Sequence, residues 1–178
     1  GCPTNCQGAT VTFTGGTSYF DGGPGTTNGS ALFYEVDYYV ENGFVFDYIG
    51  GSGGDVGDYY GTGNDVIHGH WGAGEMTSIE IRKDGGGTFN FDYFVLTTNT
   101  LSPGGPALGT EQVFMQGFLN GTATGPKVLL APEDWGFPAS SVFTGTAFDS
   151  VDKVVITSTN ASFSCFGMDS FFIDAISV

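Results

Sequence analysis

Apolar and polar positions alternate with a period of two along most of the chain, and Gly, Pro, Asn and Ser interrupt the alternation at roughly 8- to 12-residue spacing. In residues 77–83, Ile79 and Ile81 fall on one face and Glu80 and Arg82 on the other; in 88–96, Phe89, Phe91 and Tyr93 are placed on one face. Residues 31–40 and 43–49 flank Glu41-Asn42-Gly43, and because Asn-Gly accepts positive φ at both positions a hairpin is predicted there. A second hairpin is predicted between 77–83 and 88–96, turning at Asp84 and the three glycines after it. Further strands are expected at 9–14, 111–119, 127–131, 150–158 and 170–178, whereas no Gly- and Pro-free window of a dozen residues carries helical spacing. The pattern predicts an all-β fold, a jelly-roll-like antiparallel β-sandwich of two sheets with about nine or ten strands. Without repeats or a linker, residues 1–178 read as one domain, with 1–14 as an N-terminal arm. Residues 15–30 and 50–65 are expected to be long, strand-poor loops.

Composition narrows the function classes. The 178 residues are 40% apolar and include 17 Phe, 8 Tyr and 2 Trp, enough to bury a sizeable core. Nineteen acidic residues against four basic ones (Arg82, Lys83, Lys127, Lys153) give a net charge of -15, which excludes phosphate-backbone recognition and binding to an anionic membrane surface. No apolar run approaches the roughly 20 residues of a membrane span. Charged residues are only 13% while Gly reaches 31, a profile that suits a secreted, extracellular protein, and a first residue other than Met fits a processed chain. Cys2, Cys6 and Cys165 allow either a bridge from the arm to Cys165 or a local Cys2–Cys6 loop with Cys165 buried as a small apolar residue.

Several constellations carry candidate chemistry. Asp55, Asp58, Asn64 and Asp65 lie among glycines in 50–65 and supply oxygen ligands of the kind a calcium ion takes. His68, His70 and Glu75 have the His-x-His-x4-Glu spacing of the first metal motif of cupins, but Arg82 replaces the downstream glycine and the chain has no third His. Tyr59, Tyr60, Trp71 and Trp135 lie in or beside Gly- or Pro-rich segments, where flat rings would stack on sugar faces. Asn28, Asn120 and Asn160 begin glycosylation sequons. Gly-x-Ser-x-Gly is absent and no carboxylate pair stands out, so no catalytic residue is assigned and the chain reads as a non-enzyme.

The succession VENGFVFDYIG, NDVIHGHWG, GGTFNFDYFVL, VFMQGFLNG, PEDWGF, FDSVDKVVIT and FGMDSFFID, from about residue 38 onward, resembles the extracellular β-sandwich domains of bacterial exported proteins. Many of those carry a PEP-CTERM sorting tail and are linked to exopolysaccharide and biofilm matrix. The resemblance implies a sugar-rich extracellular setting and no reaction.

Two functions follow as expectations. The first is a structural or adhesive subunit of an extracellular matrix or filament, a homopolymer stabilised by calcium in which the N-terminal arm adds as a strand to a neighbour's sheet edge. The second is a lectin-like carbohydrate-binding module recognising an extracellular polysaccharide.

Overall fold

A computed structural model describes residues 9–50, 54–71, 76–136, 139–159 and 164–174. Its strands are β1 (Ala9–Val11), β2 (Thr17–Tyr19), β3 (Gly25–Thr26), β4 (Leu32–Phe33), β5 (Tyr38–Glu41), β6 (Phe44–Ile49), β7 (Gly54–Asp58) and β8 (Asp65–Trp71). They continue as β9 (Ser78–Lys83), β10 (Asn90–Thr100), β11 (Val113–Leu119), β12 (Thr122–Ala123), β13 (Val128–Leu129), β14 (Ser140–Phe143), β15 (Lys153–Ser158) and β16 (Ser164–Asp174). One 3-10 turn, Thr146–Phe148, is the helical element among the described residues. The fold is the predicted all-β sandwich. Ten of the strands run to four residues or more.

The first sheet has seven strands in the order β14-β10-β16-β8-β7-β4, with β1 also on β16; the second has nine, β12-β11-β15-β9-β6-β5-β2-β3, with β13 also on β11. Every pairing is antiparallel. The long β16 pairs with β10 along one edge, while β8 takes residues 164–168 and β1 takes 171–173 of the other. Between the sheets lie Val56, Ile67, Phe91, Phe94, Leu96, Phe166 and Met168 from the first, and Tyr39, Phe46, Ile79, Ile81, Met115, Val154 and Ile156 from the second.

The β5–β6 hairpin forms as expected, with Asn42 and Gly43 at φ 50° and 79°. The second expected hairpin does not. β9 pairs with β6 and β15 in the second sheet, whereas β10 joins β14 and β16 in the first, so residues 84–89 cross between the sheets and Phe89 plugs the end of the core. A register shift between Phe91 and Tyr93 also breaks the alternation expected for 88–96. Phe94 therefore takes the inward place, and Tyr93 packs outside against Phe143 with ring centroids 5.5 Å apart.

The segments expected as strand-poor loops contain β2, β3 and β7. In β7 the glycine is a packing requirement: Gly57 has φ 129°, and a Cβ there would overlap the Ala31 carbonyl oxygen of the β4 approach. Of the N-terminal arm, residues 9–11 pair with β16 of their own chain, and residues 1–8 lie outside the described residues.

Candidate functional site

Two surfaces on opposite faces of the sandwich concentrate aromatic and polar side chains. The first caps the outer face of the first sheet. Asp55, His68, Gly167 and Thr98 form one cross-strand row, pointing away from the core side occupied by Val56, Ile67, Met168 and Leu96. The β7–β8 turn folds over this row. Gly63 N donates to Asp58 Oδ1 at 2.7 Å and Tyr59 N to the Asn64 carbonyl at 2.8 Å, and Tyr60 sits at φ 50°. Tyr59 is 2% exposed, and its hydroxyl lies 2.7 Å from Thr98 Oγ1. Opposite the turn, Trp135 is positioned by its backbone N–H, which donates to the Gly105 carbonyl, and by Glu133, which exchanges backbone hydrogen bonds with Asn99 at the end of β10.

Tyr59, Tyr60 and Trp135 converge on His68. Trp135 lies 5.4 Å from Tyr59, 5.1 Å from Tyr60 and 5.7 Å from His68, measured between ring centroids. Three of the four aromatics expected as sugar platforms thus come together, but Tyr59 is the buried base of the cluster. Tyr60 is 52% exposed and Trp135 half-buried, so those two rings meet solvent. Trp71 and His70 lie on β8, with side chains outside the described residues, as is Glu75.

His68 Nδ1 is 3.8 Å from Asp55 Oδ2 beneath the rings. Cys165 is a buried thiol on the same sheet, and burial, with the Asp55 carboxylate nearby, pushes its pKa up to about 12. A thiol so protonated is a packing group, the opposite of an activated nucleophile. Cys165 is buried, as expected for a small apolar residue, and Cys2 and Cys6, the other candidates for a bridge, lie outside the described residues. Burial, then Asp55, also pushes the Tyr60 hydroxyl up to about 12.

The carboxylates expected to hold calcium have separate uses. Asp65 Oδ2 accepts from Thr14 Oγ1 at 2.7 Å and from Gly29 N at 2.8 Å, Asp58 caps its own turn, Asp55 faces His68, and Asn64 supplies its backbone carbonyl. Among the described residues no group of three or more His, Cys, Asp or Glu is arranged to hold a metal ion. Asn28 and Asn120 are exposed, though Asn28 Oδ1 accepts from Ser30 N and Ala31 N; Asn160 lies outside the described residues.

The second surface went unnoticed in the sequence. A row of paired residues crosses the outer face of the second sheet: Tyr19, Tyr38, Asp47, Glu80, Val155 and Gln116. The parallel row is Thr17, Val40, Val45 and Arg82. Tyr19 and Tyr38 stack with centroids 4.5 Å apart and planes 16° apart, both more than a third exposed. Arg82 Nη1 reaches across the rows to donate to Asp47 Oδ2 at 2.9 Å. Between them lies an open groove of ≈ 410 Å³, lined by Tyr19, Tyr38, Val40, Val45, Asp47, Arg82 and Asp84. Val45, buried, and Val40, part-buried, pair on the second row and form its apolar floor.

Basic residues gather on this face. Besides Arg82, Lys153 lies 3.7 Å from Glu80 and 5.5 Å from the Phe118 ring centre, and Lys127 lies 6.0 Å from that of Phe114. In the groove Arg82 faces Asp47 and Asp84, and farther along the same face Lys153 faces Glu80. The signal was present in the sequence as tyrosines at the outward positions of 17–19 and 38–41. It had no meaning until the strands were set side by side.

Comparison of the chain with protein-family models, with curated proteins and with solved structures finds no match. Among the described residues no helix is long and apolar enough to cross a membrane.

Proposed function

We propose that the protein is a non-catalytic polysaccharide-binding domain of an extracellular, sugar-rich setting, and that it seats an uncharged glycan chain in the groove of the second sheet. The observation that carries this is the juxtaposition of the stacked Tyr19–Tyr38 pair with the Arg82–Asp47 ion pair across an apolar floor. A pyranose ring has an apolar C–H face and a rim of hydroxyls. The first packs on an aromatic ring or a valine floor, and the second needs fixed donors and acceptors, which a guanidinium and a carboxylate held to each other supply. Both stand on paired strands, so little ordering is left to be done on binding. An anionic polymer meets Asp47 and Asp84 in the groove and the net charge of the whole chain, which favours an uncharged one.

Strand donation to a neighbour, the basis of the filament reading, draws less support. Ala9–Val11 occupy the edge of β16 in their own chain.

The test is affinity electrophoresis through gels containing neutral glucans, xylan or galactomannan, with alginate as the acidic comparison. At least one neutral polymer is expected to retard the protein, alginate less so, and Tyr38→Ala or Arg82→Ala to weaken the retardation about tenfold, the equivalent of ~1.4 kcal/mol. No retardation by any neutral polymer, or retardation that both substitutions leave untouched, overturns the proposal.

A further inference from the structure

We propose that the Tyr60–Trp135 cap on the first sheet is a second glycan-binding surface, so that one copy of the domain cross-links two polysaccharide chains. The inference rests on the reading above and adds a second site to it.

Direction is the first support. The row bearing His68 faces outward from the first sheet, opposite Ile67 and Met168, and the row bearing Tyr38 faces outward from the second, opposite Tyr39. Packed sheets stand about 10 Å apart, and side chains add to that on both outer faces. A glycan strand lying along one groove therefore runs away from the other surface, and a strand that met both would have to turn around a sheet edge.

Ring chemistry is the second. Tyr60 and Trp135 are tilted by 48° with centroids 5.1 Å apart, a shallow V of two aromatic rings, one of them 52% exposed and the other half-buried. Beneath them Tyr59 and His68 are almost fully buried and touch both rings edge-on or at a tilt, so the V stands on a packed base. Asp55 lies mostly buried below the rings, and an uncharged sugar face is the ligand that the aromatic faces suit.

Two sites on opposite faces have a consequence that neither has alone. Bound to two long polymers at once, such a domain becomes a junction, and junctions of this kind join separate chains into a network.

The experiment uses the soluble neutral polysaccharide that retards the intact chain, mixed with rising protein and followed by light scattering and by viscosity. The wild-type protein is expected to build large scattering species at intermediate ratios and to disperse them in excess protein. Tyr60→Ala/Trp135→Ala, and separately Tyr38→Ala, should each remain retarded on the gel, at least tenfold more weakly, yet form no network. Tyr60→Ala alone, at an exposed position, repeats the test if the double variant melts early. Networks that persist in the Tyr60/Trp135 variants, as they would if the protein cross-linked through its own self-association, overturn the inference, and so does a wild-type chain that binds through Tyr38 and Arg82 without cross-linking. In both cases the polysaccharide-binding reading stands; it falls, and this inference with it, if no polymer retards the wild-type chain.

Discussion

Tyr39 donates its hydroxyl proton to Glu41 Oε1 at 2.6 Å, two residues along the same face of β5. Glu41 Oε2 accepts in turn from Thr12 N at 2.9 Å, and the Tyr39 hydroxyl accepts from Gly16 N at 3.2 Å. This network ties the segment between β1 and β2 to the second sheet. Burial raises the Glu41 pKa above its ordinary 4.5, against the lowering effect of its hydrogen bonds.

A raised carboxyl pKa favours the protonated folded state. The stability it contributes is fully present below pH 4.5 and is lost as the pH climbs through the raised value. Urea unfolding of the wild-type chain and of Glu41→Gln at pH 4 to 8 should therefore show the wild type losing stability relative to the variant as the pH rises. A wild type that gains on the variant as the pH rises would mean that the fold stabilises the carboxylate.

Gly57→Ala forces a Cβ onto the Ala31 carbonyl at a φ that side chains rarely adopt. The expected cost is about 3 kcal/mol or more, with β4 released from the sheet edge. Gly61→Ala, at φ 78° in open space, should cost only about 1–2 kcal/mol. Equal losses in urea titrations of the two variants would remove the steric argument.

In a Cys2→Ser/Cys6→Ser background, Cys165 should resist a thiol reagent at pH 8 in the native state and react at once in denaturant. With its pKa pushed up to about 12, about one molecule in ten thousand carries the thiolate at that pH, and burial excludes the reagent besides. Rapid native labelling would show that the first sheet opens at β16.

The groove substitutions should leave the fold nearly intact. Tyr38→Ala removes a stacked pair worth about 0.5–1.5 kcal/mol, and Arg82→Ala a part-exposed ion pair worth less than about 1 kcal/mol. Each should lower the melting temperature by no more than about 5 °C, and a larger drop would place these residues in the architecture of the sheet.

How much was legible in advance differs from residue to residue. Asn42-Gly43 announced its hairpin because a turn is decided by the φ its own two residues accept. Ile79 and Ile81 declared their inward face because strand alternation is local. Tyr93 is misplaced by the alternation, because a bulge between Phe91 and Tyr93 reverses the faces that follow it, up to the next irregularity of β10 itself between Leu96 and Thr98, and nothing in the segment's alternation marks it. The 88–96 segment pairs away from its neighbour for a related reason: two apolar faces close together in sequence bury more by facing each other across the core than by lying side by side.

The sequence by itself determined the period of two, the turns, the all-β class and the scarcity of positive charge, since each is a property of single residues and their near neighbours. Tertiary structure alone decided that Tyr19 meets Tyr38, that Arg82 reaches Asp47 and that Trp135 closes over Tyr60 and His68. Those partners lie far apart along the chain, and they meet because strand register, set by burying the opposite faces of the same strands, carries the outward side chains into rows.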